Sequence, residues 1–404
     1  MISLSGQMIS SVTVSHPHGN PNSHHAARAF SEIQCLRSFE SGLVRGAFPL
    51  NLMTMFSRQH GGSGDRSSGL PRELHNQHLV WETTSQIGKK VRPSGLTNRV
   101  TWYDVLFCGH DWQVSNSTGW DIGAVYAYED GSQLTFRAAK KKDVRTVYEL
   151  PAGYYKGVRN DLALANVDTC TEPAWKMRRK DEELRLADIV VVASQWASET
   201  LKYANLGSRP VIKIPYGMPV DETLERQHPP NGSFTVLFAG QIGARKGVLY
   251  LLEAWHRLNL KNAQLLLAGS ISPTYERVSA HLKSCRYVGV LPRGELLRMM
   301  KEADLFVLPS LADGFGLVIG EAMAVGVPVL TTTNTGGPEL ITNGQEGWCV
   351  PAHDVDALAE KLEWGYHHRD ELYEMGRMAR IRAEQWTWAD YRRKLITELS
   401  PYLN

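Results

Sequence analysis

The sequence predicts an α/β protein of two doubly wound, parallel-sheet domains, and three observations carry that prediction. Short apolar runs alternate with helical patterns over most of the chain, as parallel strands covered by crossover helices require. A polar segment rich in proline, PYGMPVDETLERQHPPNGS at 215–233, interrupts the alternation, and the pattern then restarts. The 404 residues also exceed the ~250–300 at which a single core stops growing. The expected boundaries are 1–215 for the first domain and 216–385 for the second.

In chain order, a first strand is expected within 10–15, followed by the turn HPHGNPNSHH and a helix. Further strands are IGAVYAY (122–128), TVYEL (146–150), DIVVVAS (188–194) and PVIKIP (210–215), with helices at 131–142 and 172–187 between them. The polar stretch 56–100 is expected to be loops with one helix. After the linker come strands FTVLFAG (234–240), AQLLLAG (263–269), RYVGV (286–290), ADLFVLPS (303–310), VPVLTT (327–332) and GWCVP (347–351), separated by helices. Val355, Leu358, Ala359 and Leu362 recur at helical spacing, and 386–399 is a last helix.

Composition narrows the function classes. A net charge of +2 makes no case for nucleic acid. Five scattered cysteines without a C-x-x-C suggest neither a disulfide framework nor a zinc site, and fit a reducing cytoplasm. The sequence shows no apolar run of the ~18 residues a membrane span needs, and MISLSGQMISS lacks the pattern of a signal peptide.

Two stretches carry chemistry. In ADGFGLVIGEAMAVGVPVLT (312–331), Asp313 and Glu321 bracket a Gly-Phe-Gly turn that leads into a helix, so Glu321 can point toward whatever the turn holds. In FAGQIGARKGVLYLLEAW (238–255), a strand ends at Gly240, and Arg245 and Lys246 precede a helix start. Amides at a helix N-terminus beside an ammonium suit phosphate. Neither a Walker A spacing nor a G-x-G-x-x-G after a first strand occurs. Both stretches follow strands, so both should open on one crevice at the carboxyl ends of a parallel sheet. A phosphorylated, hydroxyl-rich ligand such as a nucleotide sugar matches that chemistry.

On these residues the chain resembles retaining glycosyltransferases of family 4, whose GT-B fold sets two Rossmann-like domains face to face. Asp313 and Glu321 with GFGL between them are similar to the family's E-x7-E motif, and GQIGARKG to its phosphate loop. Residues 335–362 and 186–218 also resemble family segments. The resemblance implies hexose transfer from a nucleotide-diphosphate sugar to a hydroxyl of a glycan or lipid-linked saccharide, with no cofactor and no metal. It implies that Lys246, with Gln241 and Arg245, meets the diphosphate, and that Glu321 holds the ribose. Val290 would lie near the base, while Phe315, Gly316, Leu317 and Asp313 hold the transferred sugar. Gly19 would give close backbone approach in the first domain, and the helix 386–404 would cross back to that domain.

Three departures stand out. Asp313 and Gln241 occupy positions where the family usually has Glu and Arg, with Arg245 the expected substitute cation. Where family members carry a His near the reacting bond, TVYELPAGYY offers Glu149 as the catalytic candidate. Two alternatives stay open: transfer to a small free or phosphorylated sugar, and a nucleotide-sugar-binding protein without turnover.

Other clusters are read as follows. His16, His18, His24 and His25 are expected in a ligand loop and not as metal ligands. Lys176, Arg178, Arg179 and Lys180 are expected on a solvated helix face, the alternative being contact with an anionic membrane surface on the cytoplasmic side. Glu129 and Asp130 are expected to cap the following helix or to line the cleft.

Overall fold

The computed structural model describes residues 10–42, 69–91, 100–164, 172–221, 225–272 and 285–403. Two parallel sheets organise them. The first contains β1 (Val12–His16), β2 (Leu36–Ser41), β3 (His75–Gln77), β4 (Ala124–Tyr128), β5 (Arg145–Leu150), β6 (Ile189–Val192) and β7 (Val211–Lys213), in the order β3-β2-β1-β4-β5-β6-β7. The second contains β8 (Phe234–Ala239), β9 (Ala263–Ala268), β10 (Arg286–Gly289), β11 (Leu305–Leu308), β12 (Val329–Thr332) and β13 (Gly347–Val350), in the order β10-β9-β8-β11-β12-β13. Strands such as β4, β8 and β11 are buried at every position. Helices cover both faces of such strands, which is why they read as continuous apolar runs.

In each sheet the strand order reverses once, at β1/β4 and at β8/β11. Loops leaving the carboxyl ends of strands at such a reversal splay apart and leave a crevice. The loops after β1, β8 and β11 carry GNPN, QIGARK and ADGFG.

Local sequence fixes the first of these loops. Asn20 caps the helix Pro21–Glu32: its side chain accepts from Ser23 N at 2.9 Å, and the Ser23 hydroxyl accepts from Asn20 N at 3.0 Å. Pro21 takes the first helical position, where no N–H is needed.

The terminal helix Trp388–Leu399 packs on Pro21–Glu32, with Arg392 paired to Glu32 at 2.7 Å and Trp388 stacked on His25 at 4.2 Å. The chain thus returns to the first domain after completing the second. Met218 N donates to Trp386 O at 2.9 Å, and Trp386 Nε1 donates to Tyr216 O at 3.1 Å, so the crossing segments are tied together.

Several elements differ from the sequence reading. Strands β2 and β3 and the helices Trp102–Ser117, Tyr155–Leu164 and Arg369–Gln385 are not placed by it, the helix Leu79–Val91 falls within 56–100 where one is expected, and much of 56–100 lies outside the described residues. Thr101 and Asp104 form the capping box that starts Trp102–Ser117, a signal present in the sequence as TWYD.

Within the basic run 176–180, Arg178 is exposed, but Arg179 and Lys180 are buried and do not lie on a solvated face. Arg179 pairs with Asp111 and, at 3.2 Å, with Glu183, while Lys180 reaches Glu172 at 2.9 Å and Glu129 at 3.4 Å. Glu129 and Asp130 serve this network and do not line the cleft. The helix Gln133–Lys141 is instead capped from a distance: Asp111 accepts from Leu134 N and Thr135 N, and Glu183 accepts from Ser132 N and Gln133 N. Arg179→Met should strand two buried carboxylates and cost about 3–5 kcal/mol, measured by urea unfolding. A loss under about 1 kcal/mol would show that the network does not hold these helices together.

Candidate functional site: an interdomain cavity

A cavity of about 560 Å³ lies between the two sheets. The second domain contributes Gly240, Gln241 and Lys246 from the loop after β8, and Asp313, Phe315, Gly316, Leu317 and Glu321 from the segment after β11. Gly269, Val290, Leu291 and Leu296 form one apolar end. From the first domain come Asn20, Asn22 and Pro151, and from the linker Tyr216.

Two glycines make the Gly-Phe-Gly turn possible. Gly316 caps the helix Leu317–Ala324 at φ 75°, a left-handed conformation that glycine adopts without strain. Gly314 lies so close to the first domain that a Cβ there would sit 1.9 Å from Pro151 O. The Ser194 hydroxyl donates to Gly314 O at 2.6 Å. These contacts fix the turn against the first domain. No side chain caps the helix at Gly316, so its first amides are left facing the cavity end that carries Leu317 and Val318.

Charge in the cavity is internally paired. The Lys246 ammonium, at the end of the short 3-10 turn Ala244–Lys246, pairs with the Asp313 carboxylate. Burial alone would raise the Asp313 carboxyl, but the charges of Lys246 and Arg245 and the Phe315 amide outweigh it and hold it below the usual range. Glu321 pairs with Arg293 Nε at 3.2 Å. There burial wins, and the carboxyl is raised despite the guanidinium.

Three of the residues expected at the site do not line the cavity. The exposed Arg245 points elsewhere, its guanidinium donating to Ala312 O at 3.3 Å, so it adds to the field at Asp313 without filling the space at Gln241. Gly19 adopts φ 58° and lies behind the neighbouring Asn20, where a Cβ would meet His24 Nε2 at 2.8 Å. Glu149, 1% exposed, is sealed beneath the wall: it accepts hydrogen bonds from Tyr126, Tyr216 and Asn22. Burial raises its carboxyl, and those donors oppose the rise.

His16, the last residue of β1, is structural. His16 Nδ1 accepts from the amides of His18 and Gly19, both at 3.1 Å, and burial pushes its ring down to about 3. Among the described residues no three His, Cys, Asp or Glu side chains converge as metal ligands would. Among the same residues no helix is long and apolar enough to cross a membrane.

With this geometry in place, the likeness to known proteins is specific. Residues 220–382 match the model of the family described as glycosyl transferases group 1. A putative colanic acid biosynthesis glycosyltransferase of Salmonella typhimurium is 27% identical over 56% of this chain and 57% of its own. A D-inositol 3-phosphate glycosyltransferase of Pseudarthrobacter chlorophenolicus is 32% identical over 39% of this chain and 40% of its own. These matches span less than two thirds of either relative's length. Among solved structures, sucrose-phosphate synthase from Thermosynechococcus elongatus superposes with a TM-score of 0.63 at 16% identity, covering 97% of this chain and 98% of that one. HepE of Anabaena, in complex with UDP, gives 0.62 at 16% identity over 97% and 100%. The fold is GT-B.

Within this GT-B frame, sequence reasoning missed Pro151, Tyr216 and Arg293, and it placed Asn20 and Asn22 in a ligand loop without singling them out. The two asparagines had a signal, since Asn-Pro-Asn-Ser after a strand is a helix start at a sheet reversal. Arg293 had none, being one arginine at the start of an ordinary helix.

The Lys246–Asp313 pair has a pH signature. Because the folded Asp313 carboxyl lies below its unfolded value of ~3.9, its contribution is fully present above that value and is lost as the pH falls through the folded one. Asp313→Asn should therefore lose less stability than the parent protein over this acid window, read by thermal unfolding at stepped pH. Parallel curves would contradict the pairing.

Proposed function

We propose that this protein is a retaining glycosyltransferase of family 4 that moves a hexose from a nucleoside diphosphate sugar to a hydroxyl of a glycan or lipid-linked saccharide. The observation that carries the reading is the convergence, in one interdomain cavity, of a strand-end lysine, an uncapped helix N-terminus and a carboxylate one turn further on. The UDP complex of the Anabaena neighbour supports a nucleotide donor.

In this reading the diphosphate meets Lys246, Gln241 and the amides at Leu317 and Val318. Glu321 accepts hydrogen bonds from the ribose hydroxyls, sharing its carboxylate with Arg293. The base rests on Val290 and Leu291, and the hexose lies between Asp313 and the first-domain wall. Lys246 and the helix amides stabilise the negative charge that grows on the departing diphosphate as the glycosidic bond lengthens. The incoming hydroxyl attacks from the same face, and its proton passes to the departing phosphate oxygen. Glu149 is too deeply enclosed to take that proton.

Titration calorimetry with UDP, GDP and ADP tests the donor site. One of them should bind, and Lys246→Ala should weaken it roughly 10- to 150-fold by removing a charge-assisted contact of ~1.5–3 kcal/mol. Since Arg245 leaves the space beside Gln241 open, Gln241→Arg should tighten the same diphosphate. Unchanged binding in Lys246→Ala would refute the phosphate site. Proton NMR of the product should show the donor's anomeric configuration retained, and inversion would refute the mechanism.

A further inference from the structure

Beneath the first-domain wall lies a polar cluster whose members come from four separate segments. Glu149 ends β5, Tyr126 lies in β4, Tyr216 in the linker and Asn22 at the start of the first helix. Tyr126 donates its hydroxyl proton to Glu149 Oε2, and Tyr216 donates to Oε1. Asn22 Nδ2 donates to Tyr216 Oη at 2.9 Å and to Glu149 Oε1 at 3.4 Å. All four side chains are at most 4% exposed, yet Asn22 and Tyr216 reach the cavity.

The direction of these bonds fixes the Asn22 amide. The Tyr216 proton is spent on Glu149, so toward Asn22 its oxygen can only accept. An ionised carboxylate likewise only accepts. One Asn22 hydrogen is thereby shared between Tyr216 Oη and Glu149 Oε1, and the amide oxygen, turned away from these acceptors, is left for the cavity. Tyr216 packs edge-on against Phe315 of the Gly-Phe-Gly turn, centroids 5.2 Å apart, which puts Asn22, bonded to Tyr216, on the side of the cavity that carries this turn.

We propose that Asn22 is a specificity-determining residue whose amide oxygen accepts a hydrogen bond from a hydroxyl of the transferred hexose, and that Glu149 is the positioning residue that aims it. The inference rests on the donor reading above and extends it to the sugar. A carbonyl oxygen held in one orientation recognises a hydroxyl donor, and a sugar lacking that hydroxyl leaves it buried and unpaired.

The test compares a nucleoside diphosphate sugar with its own free diphosphate, using UDP-glucose beside UDP and GDP-mannose beside GDP. For whichever pair binds, Asn22→Ala should weaken the sugar nucleotide about tenfold and leave the free diphosphate within about twofold. Glu149→Gln should produce the same selective loss, and the double variant should be no worse than Asn22→Ala alone, because Glu149 acts through Asn22. Tyr216→Phe, which removes the group holding the Asn22 amide, supplies a second reading should Glu149→Gln fail to fold. An unchanged sugar nucleotide affinity in Asn22→Ala overturns the assignment. Additive losses in the double variant overturn the positioning role. If the parent protein binds neither diphosphate, the donor reading fails and this inference falls with it; if the parent binds and the variants match it, only the inference fails.

Discussion

Lys246 and Asp313 stand 67 residues apart in the chain, on the loops that follow β8 and β11, and their ion pair joins the two loops that flank the sheet reversal. Each group is mostly buried, so neither can be left alone without a desolvation cost. The pair therefore keeps the strand-end cation from drifting into solvent and holds the Gly-Phe-Gly turn at the cavity floor. The same pairing gives the site its responsiveness. In the proposed reading, a diphosphate entering the cavity would compete with Asp313 for the ammonium, so binding would redistribute charge that is already in place.

The opposite wall works by different physics. Its polar atoms are organised by hydrogen bonds converging on one buried carboxylate, with Tyr216 linking the first domain, the linker and the Phe315 turn. Trp386 and the terminal helix brace the same linker from behind. Domains that meet across a cleft can move relative to one another, and here a linker residue packed against both domains is also a wall residue. Domain position and the shape of the cavity beside the Gly-Phe-Gly turn are thus coupled through one tyrosine.

The second domain was largely legible in the sequence because its strands are short, apolar and bounded by glycine or proline, and because parallel strands buried on both faces leave that pattern. The first domain was less so. Strand β2, LRSFES, buries Ser38 and Glu40, and β3 is the three-residue HNQ, so neither carries an apolar signature. Lys246, Asp313, Phe315, Gly316 and Glu321 could be placed together because their loops sit at known points of a doubly wound sheet. The partners of Arg179 and Lys180 could not, since Asp111 and Glu129 come from distant segments and only tertiary packing brings them near. Glu149 shows the same limit: its position at a strand end was readable, but its enclosure by tyrosines from β4 and the linker was not.

The account stands on Lys246 being shared between Asp313 and a diphosphate. Carbon-13 NMR of the aspartate carboxyls, with Asp313 assigned through Asp313→Asn, reads this directly when its titration is followed with and without saturating nucleoside diphosphate. The free protein should show Asp313 titrating below the usual carboxylate range, and the diphosphate should raise it as the ammonium turns toward phosphate. An Asp313 titration that the diphosphate leaves unmoved would contradict the account.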